Sequence, residues 1–250
     1  MSERLQKWLA GQGLGSRRQM EAWIADGRIT VDGKPAVLGQ KVSGRERIKV
    51  DGRLLRVSSN RAPRPKTIMY NKPAGEICTR ADPQGRPTVF DNLPHLSRGR
   101  WIGVGRLDFQ TSGLLLFTTD GELANRLMHP SSGLIREYSV RLRGEIDAAA
   151  QKKLRRGIEL EDGVARFETL EFAGGDGQNR WYKVSVTEGR NRVVRRLFAA
   201  LGHRVSRLIR IRFGPISLPR PLPAGRSRPL SPGEISALYA AVESPDIATE

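Results

Sequence analysis

The chain of 250 residues has one cysteine, Cys78, and three scattered histidines, His95, His129 and His203. An internal disulfide framework is excluded, and a lone thiol fits a reducing compartment. One Cys and three dispersed His cannot supply a usual zinc site, so no metal is expected. No run of eighteen apolar residues exists, so no helix is expected to span a membrane. The opening Met1-Ser2-Glu3-Arg4 lacks a signal peptide's apolar stretch, and no lipidation motif or exposed basic amphipathic helix suggests attachment to a bilayer. Acid is scarce as well: 26 Asp and Glu stand against 43 Lys and Arg, a net charge of +17. With an ordinary 38% of hydrophobic residues, wholesale disorder is disfavoured, and a soluble, cytoplasmic protein of one or two domains is expected.

The charge is concentrated. Residues 1 to 65 hold 14 bases and 6 acids, and residues 180 to 212 hold 10 bases against Glu188 alone. Everything else is balanced, so two blocks carry the whole excess. A polyanion held by two basic surfaces explains that partition better than diffuse solubility charge.

The pattern predicts a first helix over residues 3 to 10, with Ser2 as its cap and Leu5, Trp8 and Leu9 buried. Ser16 and Gln19 form a capping-box pattern before a second helix that buries Met20, Trp23 and Ile24. Arg28–Val31 alternates as a strand before an Asp32-Gly33 turn, and Ile48–Val57 repeats this around Asp51-Gly52. Bases Arg4, Lys7, Arg17, Arg18, Arg28 and Lys34 cluster near the helices. This stretch resembles an S4 RNA-binding domain in Arg4-Leu5-Gln6-Lys7, Gly15-Ser16-Arg17-Arg18 and Gly27-Arg28-Ile29-Thr30-Val31-Asp32-Gly33. The resemblance implies a surface for structured RNA, and the six bases are its expected contacts.

Ser58–Lys66 is polar and proline-broken, a linker pattern. Beyond it, strands are expected at Thr67–Tyr70, Leu114–Thr118, Tyr138–Leu142, Trp181–Val186 and Leu208–Phe213. Helices are expected at Glu122–Met128, Ala148–Arg156 and Arg192–Leu201, then from Ser231-Pro232-Gly233-Glu234 to about Val242. Pro219–Pro232 reads as loop and Ser244–Glu250 as a frayed tail. The irregular mixture predicts an α+β fold with a mixed, largely antiparallel sheet flanked by helices. The expected organisation is an RNA-binding domain over 1–60, a linker over 61–66, a second domain over 67–243 and a tail over 244–250.

Without metal, nucleophilic cysteine or histidine dyad, chemistry must rest on carboxylate, tyrosine or arginine. Asp120, Asp162 and Asp176 each precede glycine and read as turn residues. Asp108 differs, standing in Gly105-Arg106-Leu107-Asp108 at the mouth of the apolar strand Leu114-Leu115-Leu116-Phe117. By itself it reads first as a loop cap and only second as a catalytic carboxylate.

Gly105-Arg106-Leu107-Asp108 followed by Thr111-Ser112-Gly113-Leu114-Leu115-Leu116-Phe117-Thr118-Thr119-Asp120-Gly121 resembles the catalytic motif of pseudouridine synthases of the small-ribosomal-subunit type. Asn71-Lys72-Pro73-Ala74-Gly75, Arg136-Glu137-Tyr138, Glu188–Leu197 and Val205–Gly214 agree with that family, and the likeness runs from about residue 3 to residue 240. Within it, Glu76–Asp91 and Glu122–Pro130 are similar to the branch acting on large-subunit ribosomal RNA.

The resemblance implies uridine-to-pseudouridine isomerisation without cofactor or metal, on a stem-loop of large-subunit ribosomal RNA; a monomer is expected. It implies Asp108 as the essential carboxylate, acting at C1′ as a nucleophile or at C2′ as a base. Arg195 is the arginine expected to pair with it and keep it charged. Tyr138 is expected against the uracil, Leu208 beneath it, and Arg106 in the space left by a flipped nucleotide. Arg190, Arg192 and Arg196 are expected to bind RNA. Each has a plainer alternative: Arg195 and Arg106 as phosphate contacts, Tyr138 and Leu208 as core residues. The histidine-glutamine pair that related families carry is replaced by Arg192-Val193, as is normal for this branch, which removes one polar group from the expected pocket. Rival readings are a non-catalytic RNA-holding assembly protein, or the same reaction on a uridine of another ribosomal or transfer RNA.

Overall fold

The computed structural model describes residues 2–55, 65–97 and 99–243. Of these, the residues up to Pro65 together with His95–Trp101 form one compact unit, and Lys66–Pro94 with those from Ile102 onward form another. The sequence division places 95–101 in the second domain, so this short excursion departs from it. Most of the expected linker and the tail 244–250 lie outside the described residues.

In chain order the first unit holds β1 (Glu3–Arg4), α1 (Leu5–Gly11), α2 (Arg17–Ala25), β2 (Ile29–Val31), β3 (Lys34–Pro35), β4 (Lys41–Val42), β5 (Ile48–Val50) and β6 (Arg53–Leu54). The first helix starts later than its pattern suggested. Glu3 and Arg4 pair with Val42 and Lys41 as strand, so Arg4 rather than Ser2 precedes the helix, without a side-chain cap. Ser16 does cap α2, accepting from the Gln19 amide at 3.0 Å. Asp32 and Asp51 take φ of 50° and 49°, the left-handed backbone a tight hairpin needs. Leu5, Trp8, Leu9, Met20, Ile24, Ile29 and Ile48 meet in one core.

The second unit continues with β7 (Thr67–Lys72), β8 (Ile102–Val104), β9 (Thr111–Thr118), α3 (Gly121–Met128), β10 (Arg136–Arg143), α4 (Ala148–Arg156), β11 (Ile158–Leu160), β12 (Gly163–Ala165), β13 (Thr169–Phe172), β14 (Asn179–Val186), α5 (Val193–Ala199), β15 (Val205–Phe213), β16 (Ile216–Ser217), β17 (Ser227–Pro229) and α6 (Pro232–Glu243). Its large sheet runs β13-β14-β10-β15-β9-β7-β17, with β16 on β15 and β8 on β9. Part of the segment expected as loop is thus strand β17, paired with β7 through Ser227↔Tyr70. No helix among the described residues is long and apolar enough to cross a membrane.

Among the described residues every strand pairing in this sheet is antiparallel except β15 with β9, where Leu208, Ile209 and Arg210 lie opposite Thr111, Ser112 and Gly113. That parallel seam joins two antiparallel halves. Leu114, Leu115, Leu116 and Phe117 are all buried, which explains why β9 reads as an unbroken apolar run. Gly113 permits the seam: its φ is +103°, and a Cβ there would fall 2.2 Å from the Arg210 carbonyl oxygen. Leu114, Leu116, Leu123, Leu127, Phe213 and Leu238 pack beside the seam, each large side chain contributing about 1.5–3 kcal/mol.

Candidate active site

Asp108 sits in the turn that enters β9, with its carbonyl accepting from the Thr111 amide at 3.0 Å. The turn is anchored from below. Lys72, wholly buried at the end of β7, donates all three ammonium protons to carbonyls: Pro73 at 2.9 Å, Asp108 at 3.2 Å and Thr111 at 2.8 Å. Burial pushes this ammonium below its ordinary pKa, and Cys78, Glu76 and Asp108 oppose the effect. Cys78 braces the preceding residue, donating to the Leu107 carbonyl at 3.3 Å and accepting from its amide at 3.4 Å. Burial raises this thiol's pKa. Under the same loop Tyr70 donates to Glu76, with its oxygen 2.7 and 3.0 Å from the two carboxylate oxygens. The phenol is raised by burial first and by that carboxylate second.

The Asp108 side chain is 32% exposed and pairs with Arg192, Nη1 to Oδ2 at 3.6 Å. The expected partner, Arg195, is near enough to feel the Asp108 charge but forms no ion pair with it among the described residues. Arg195 donates instead to the Val205 carbonyl at 3.1 Å and the Gln110 carbonyl at 3.2 Å, tying the Asp108 turn to the start of β15. Helix geometry accounts for the exchange. Arg192 precedes the helix in a left-handed backbone (φ 50°, ψ 27°), and Arg195 lies one turn further in. A non-glycine residue in this conformation stores strain of order 1–3 kcal/mol.

Asp108, Arg106, Tyr138 and Leu208 line one cavity of about 750 Å³. Tyr138 and Leu208 are 9% and 4% exposed, and Arg106 is exposed at the rim. Arg195 is not part of this wall. Alternation along the strands sorts the rest. Leu208 and Arg210 face this cavity, whereas Arg207 and Ile209 line a second concavity of about 1430 Å³. The second one carries Arg141, Arg143, Arg192, Arg195, Arg204 and Arg207 with His203, and no carboxylate among its lining residues. Phe109 and Arg192 belong to both walls.

Two arginines expected to meet RNA are spent inside the protein. Arg190 commits all five N–H donors to Glu188, Asp162 and the carbonyls of Asp162, Gly163 and Val164. Arg196 grips both Asp162 oxygens at 2.8 Å. Together they clamp the β11–β12 hairpin. Sequence gave no warning, because Asp162-Gly163 reads only as a turn. In the first unit Arg28 pairs bidentately with Asp51 at 2.8 and 2.6 Å and stacks 4.3 Å over Trp23, so its charge is largely neutralised. Lys7 lies 3.6 Å from Glu3. Arg4, Arg17, Arg18 and Lys34 remain exposed. The arginines of β10 and of the approach to β15 were missed, since a strand arginine every second residue has no motif of its own.

A mixed sheet with a carboxylate turn at its parallel seam, flanked by a cavity and a groove whose charged residues are all cationic, suits an enzyme that works on a polyanion. A family model described as RNA pseudouridylate synthase matches residues 66–200, and an S4 domain model matches residues 3–48. The chain belongs to the RNA pseudouridylate synthase family and is an enzyme of that class. It is similar to Ribosomal large subunit pseudouridine synthase B of Salmonella typhimurium, 54% identical over 247 residues covering 98% of this chain and 85% of the relative. The protein of that name from Shigella flexneri is 55% identical over the same span, again 98% of this chain and 85% of the relative. A solved structure described as a pseudouridylate synthase is 28% identical with a TM-score of 0.64, covering 94% of this chain and 99% of that one.

Proposed function

We propose that this enzyme isomerises one uridine of large-subunit ribosomal RNA to pseudouridine, with Asp108 as the essential carboxylate. The observation that carries this reading is the sharing of one cavity by Asp108, Tyr138 and Leu208, with Arg192 at 3.6 Å from the carboxylate. The target base leaves its stack and enters the cavity, its space in the RNA filled by Arg106. Asp108 acts on the ribose, at C1′ or C2′, and the N1–C1′ bond breaks. The uracil turns against Tyr138 and Leu208, C5 bonds to C1′, the C5 proton leaves and N1 takes up a proton. Tyr138 accepts the C5 proton. Arg195 holds the Asp108 turn in register with β15.

The flipped nucleotide's neighbours are held by the six-arginine concavity, and the rest of the stem-loop by Arg4, Lys7, Arg17, Arg18 and Lys34. Similarity to relatives named for the ribosomal large subunit, across 98% of the chain, supports the choice of RNA. The protein acts in the cytoplasm as a monomer.

The test is Asp108→Asn on a transcript of large-subunit ribosomal RNA tritiated at C5 of uridine. Tritium release should be abolished. RNA affinity should stay within about fivefold, because an exposed ion pair is worth about 0–1 kcal/mol. Undiminished release would remove Asp108 from the mechanism. Mapping pseudouridine in RNA from cells with and without the gene identifies the nucleotide and separates this reading from action on another RNA.

A further inference from the structure

The cavity wall holds two polar atoms that the protein leaves without partners. Arg210 is 3% exposed. Its Nε donates to the Leu114 carbonyl at 2.8 Å, but its buried Nη2 meets no acceptor among the described residues. Thr111 is 2% exposed, and its Oγ1 is equally unpartnered. Both residues line the cavity that contains Asp108, and both belong to the parallel seam, Thr111 opposite Leu208 and Arg210 opposite Gly113. On its other side Arg210 is the direct cross-strand neighbour of Tyr138.

Neither Arg210 nor the adjacent buried Arg136 forms an ion pair among the described residues. Arg136 satisfies itself on the Leu134 and Thr187 carbonyls, each at 2.7 Å, and both guanidiniums lie over the Phe213 ring at 5.1 and 5.3 Å. Buried cations are normally paired, and buried donors are normally bonded. A site that keeps a guanidinium proton unspent beside a second cation is preorganised for negative charge arriving from outside.

The reaction supplies such a charge. When the N1–C1′ bond breaks, its electron pair stays with the base, and the charge spreads over N1, O2 and O4 until C5 bonds to C1′. The C5 proton then leaves and N1 is protonated, so the isomerisation balances without any other reactant. We infer that Arg210 is a catalytic residue that donates from Nη2 to a carbonyl oxygen of the detached uracil, and that Thr111 Oγ1 completes the polar floor beneath that edge. This inference rests on the proposed function and names the group that stabilises its leaving base.

The closing experiment compares two transcripts of large-subunit ribosomal RNA, one with uridine and one with 5-fluorouridine throughout. Single-turnover formation of the C5-linked nucleoside is read by nuclease digestion and chromatography: pseudouridine from uridine, and from 5-fluorouridine, which has no C5 proton to lose, the C5-linked product that keeps its fluorine and takes up water at C6. Fluorine makes the base a better leaving group, so a variant that has lost leaving-group stabilisation suffers less on the fluorinated RNA. Arg210→Lys and Arg210→Gln should slow uridine conversion about 10²–10³-fold, as removal of one preorganised donor does, with RNA affinity nearly unchanged. Their defect on 5-fluorouridine should fall below about tenfold. Thr111→Val, a smaller change with no charge lost, should show the same asymmetry at reduced size and decides the matter if the Arg210 variants fail to fold. Equal defects on both transcripts would overturn the inference, because a purely structural role is blind to the base. Failure of the unmodified enzyme to convert the uridine transcript would instead overturn the proposed substrate.

Discussion

Replacing Lys72 with methionine keeps an unbranched side chain one atom shorter and removes its three donors. The structure sets the size of the loss. Three carbonyls, those of Pro73, Asp108 and Thr111, lose partners now held at 2.8–3.2 Å, and an unpaired buried carbonyl costs about 1–3 kcal/mol. Two effects reduce the total. Part of the Asp108 loop can rehydrate, because the Asp108 side chain is 32% exposed. Removing a buried ammonium also relieves its desolvation cost, which already depresses its pKa. The balance is about 2–4 kcal/mol, a fall in melting temperature of roughly 5–15 °C for a chain of this size. Activity should suffer beyond stability. The Asp108 backbone gains freedom of about an ångström, and misplacement on that scale costs about 10²-fold. The assay is single-turnover tritium release at saturating RNA, well below the melting point of the variant. Turnover within threefold of the unmodified protein, with the RNA Kd unchanged, would refute the idea that Lys72 positions the Asp108 turn.

Arg195→Ala should cut turnover about 10²-fold by freeing the Gln110 and Val205 carbonyls, whereas Arg192→Ala, losing an exposed pair, should cost less than about tenfold. The reverse order in the same assay would restore Arg195 as the direct partner of Asp108. Arg196→Ala should lower stability by about 1–2 kcal/mol while leaving RNA affinity unchanged. Arg207→Ala should do the opposite, reducing the slope of log K against log salt by about one. Glu234 caps α6 and is held at about 2, chiefly by the Arg228 guanidinium. Its depressed pKa contributes stability that is complete above the ordinary value of 4.5 and is lost as pH falls through about 2. Glu234→Gln should therefore cost about 1 kcal/mol at neutral pH, with the difference from the unmodified protein closing between pH 4.5 and 2 in thermal melts.

Local rules fixed a good deal of this protein in advance. Helix α4 was legible at both ends because Asp147 caps it, accepting from the Ala150 amide at 2.6 Å, and Gly157 ends it. The five long strands were legible because alternation or an unbroken apolar run survives in the sequence whatever the strand pairs with. β17 was not, since three residues ending in proline carry no period and become strand only when β7 offers an edge. The same division holds for the site. Asp108, Tyr138 and Leu208 could be found from motif and position. Their common cavity depends on the parallel seam, which brings Thr111 and Leu208 together across almost a hundred residues. Which arginine pairs with Asp108, which ones grip Asp162, and which guanidinium keeps a proton unspent were decided by tertiary structure alone. Charge and composition are the same for every arginine in a basic stretch, whereas the acceptor each one meets depends on strand parity, helix phase and the reach of distant carbonyls.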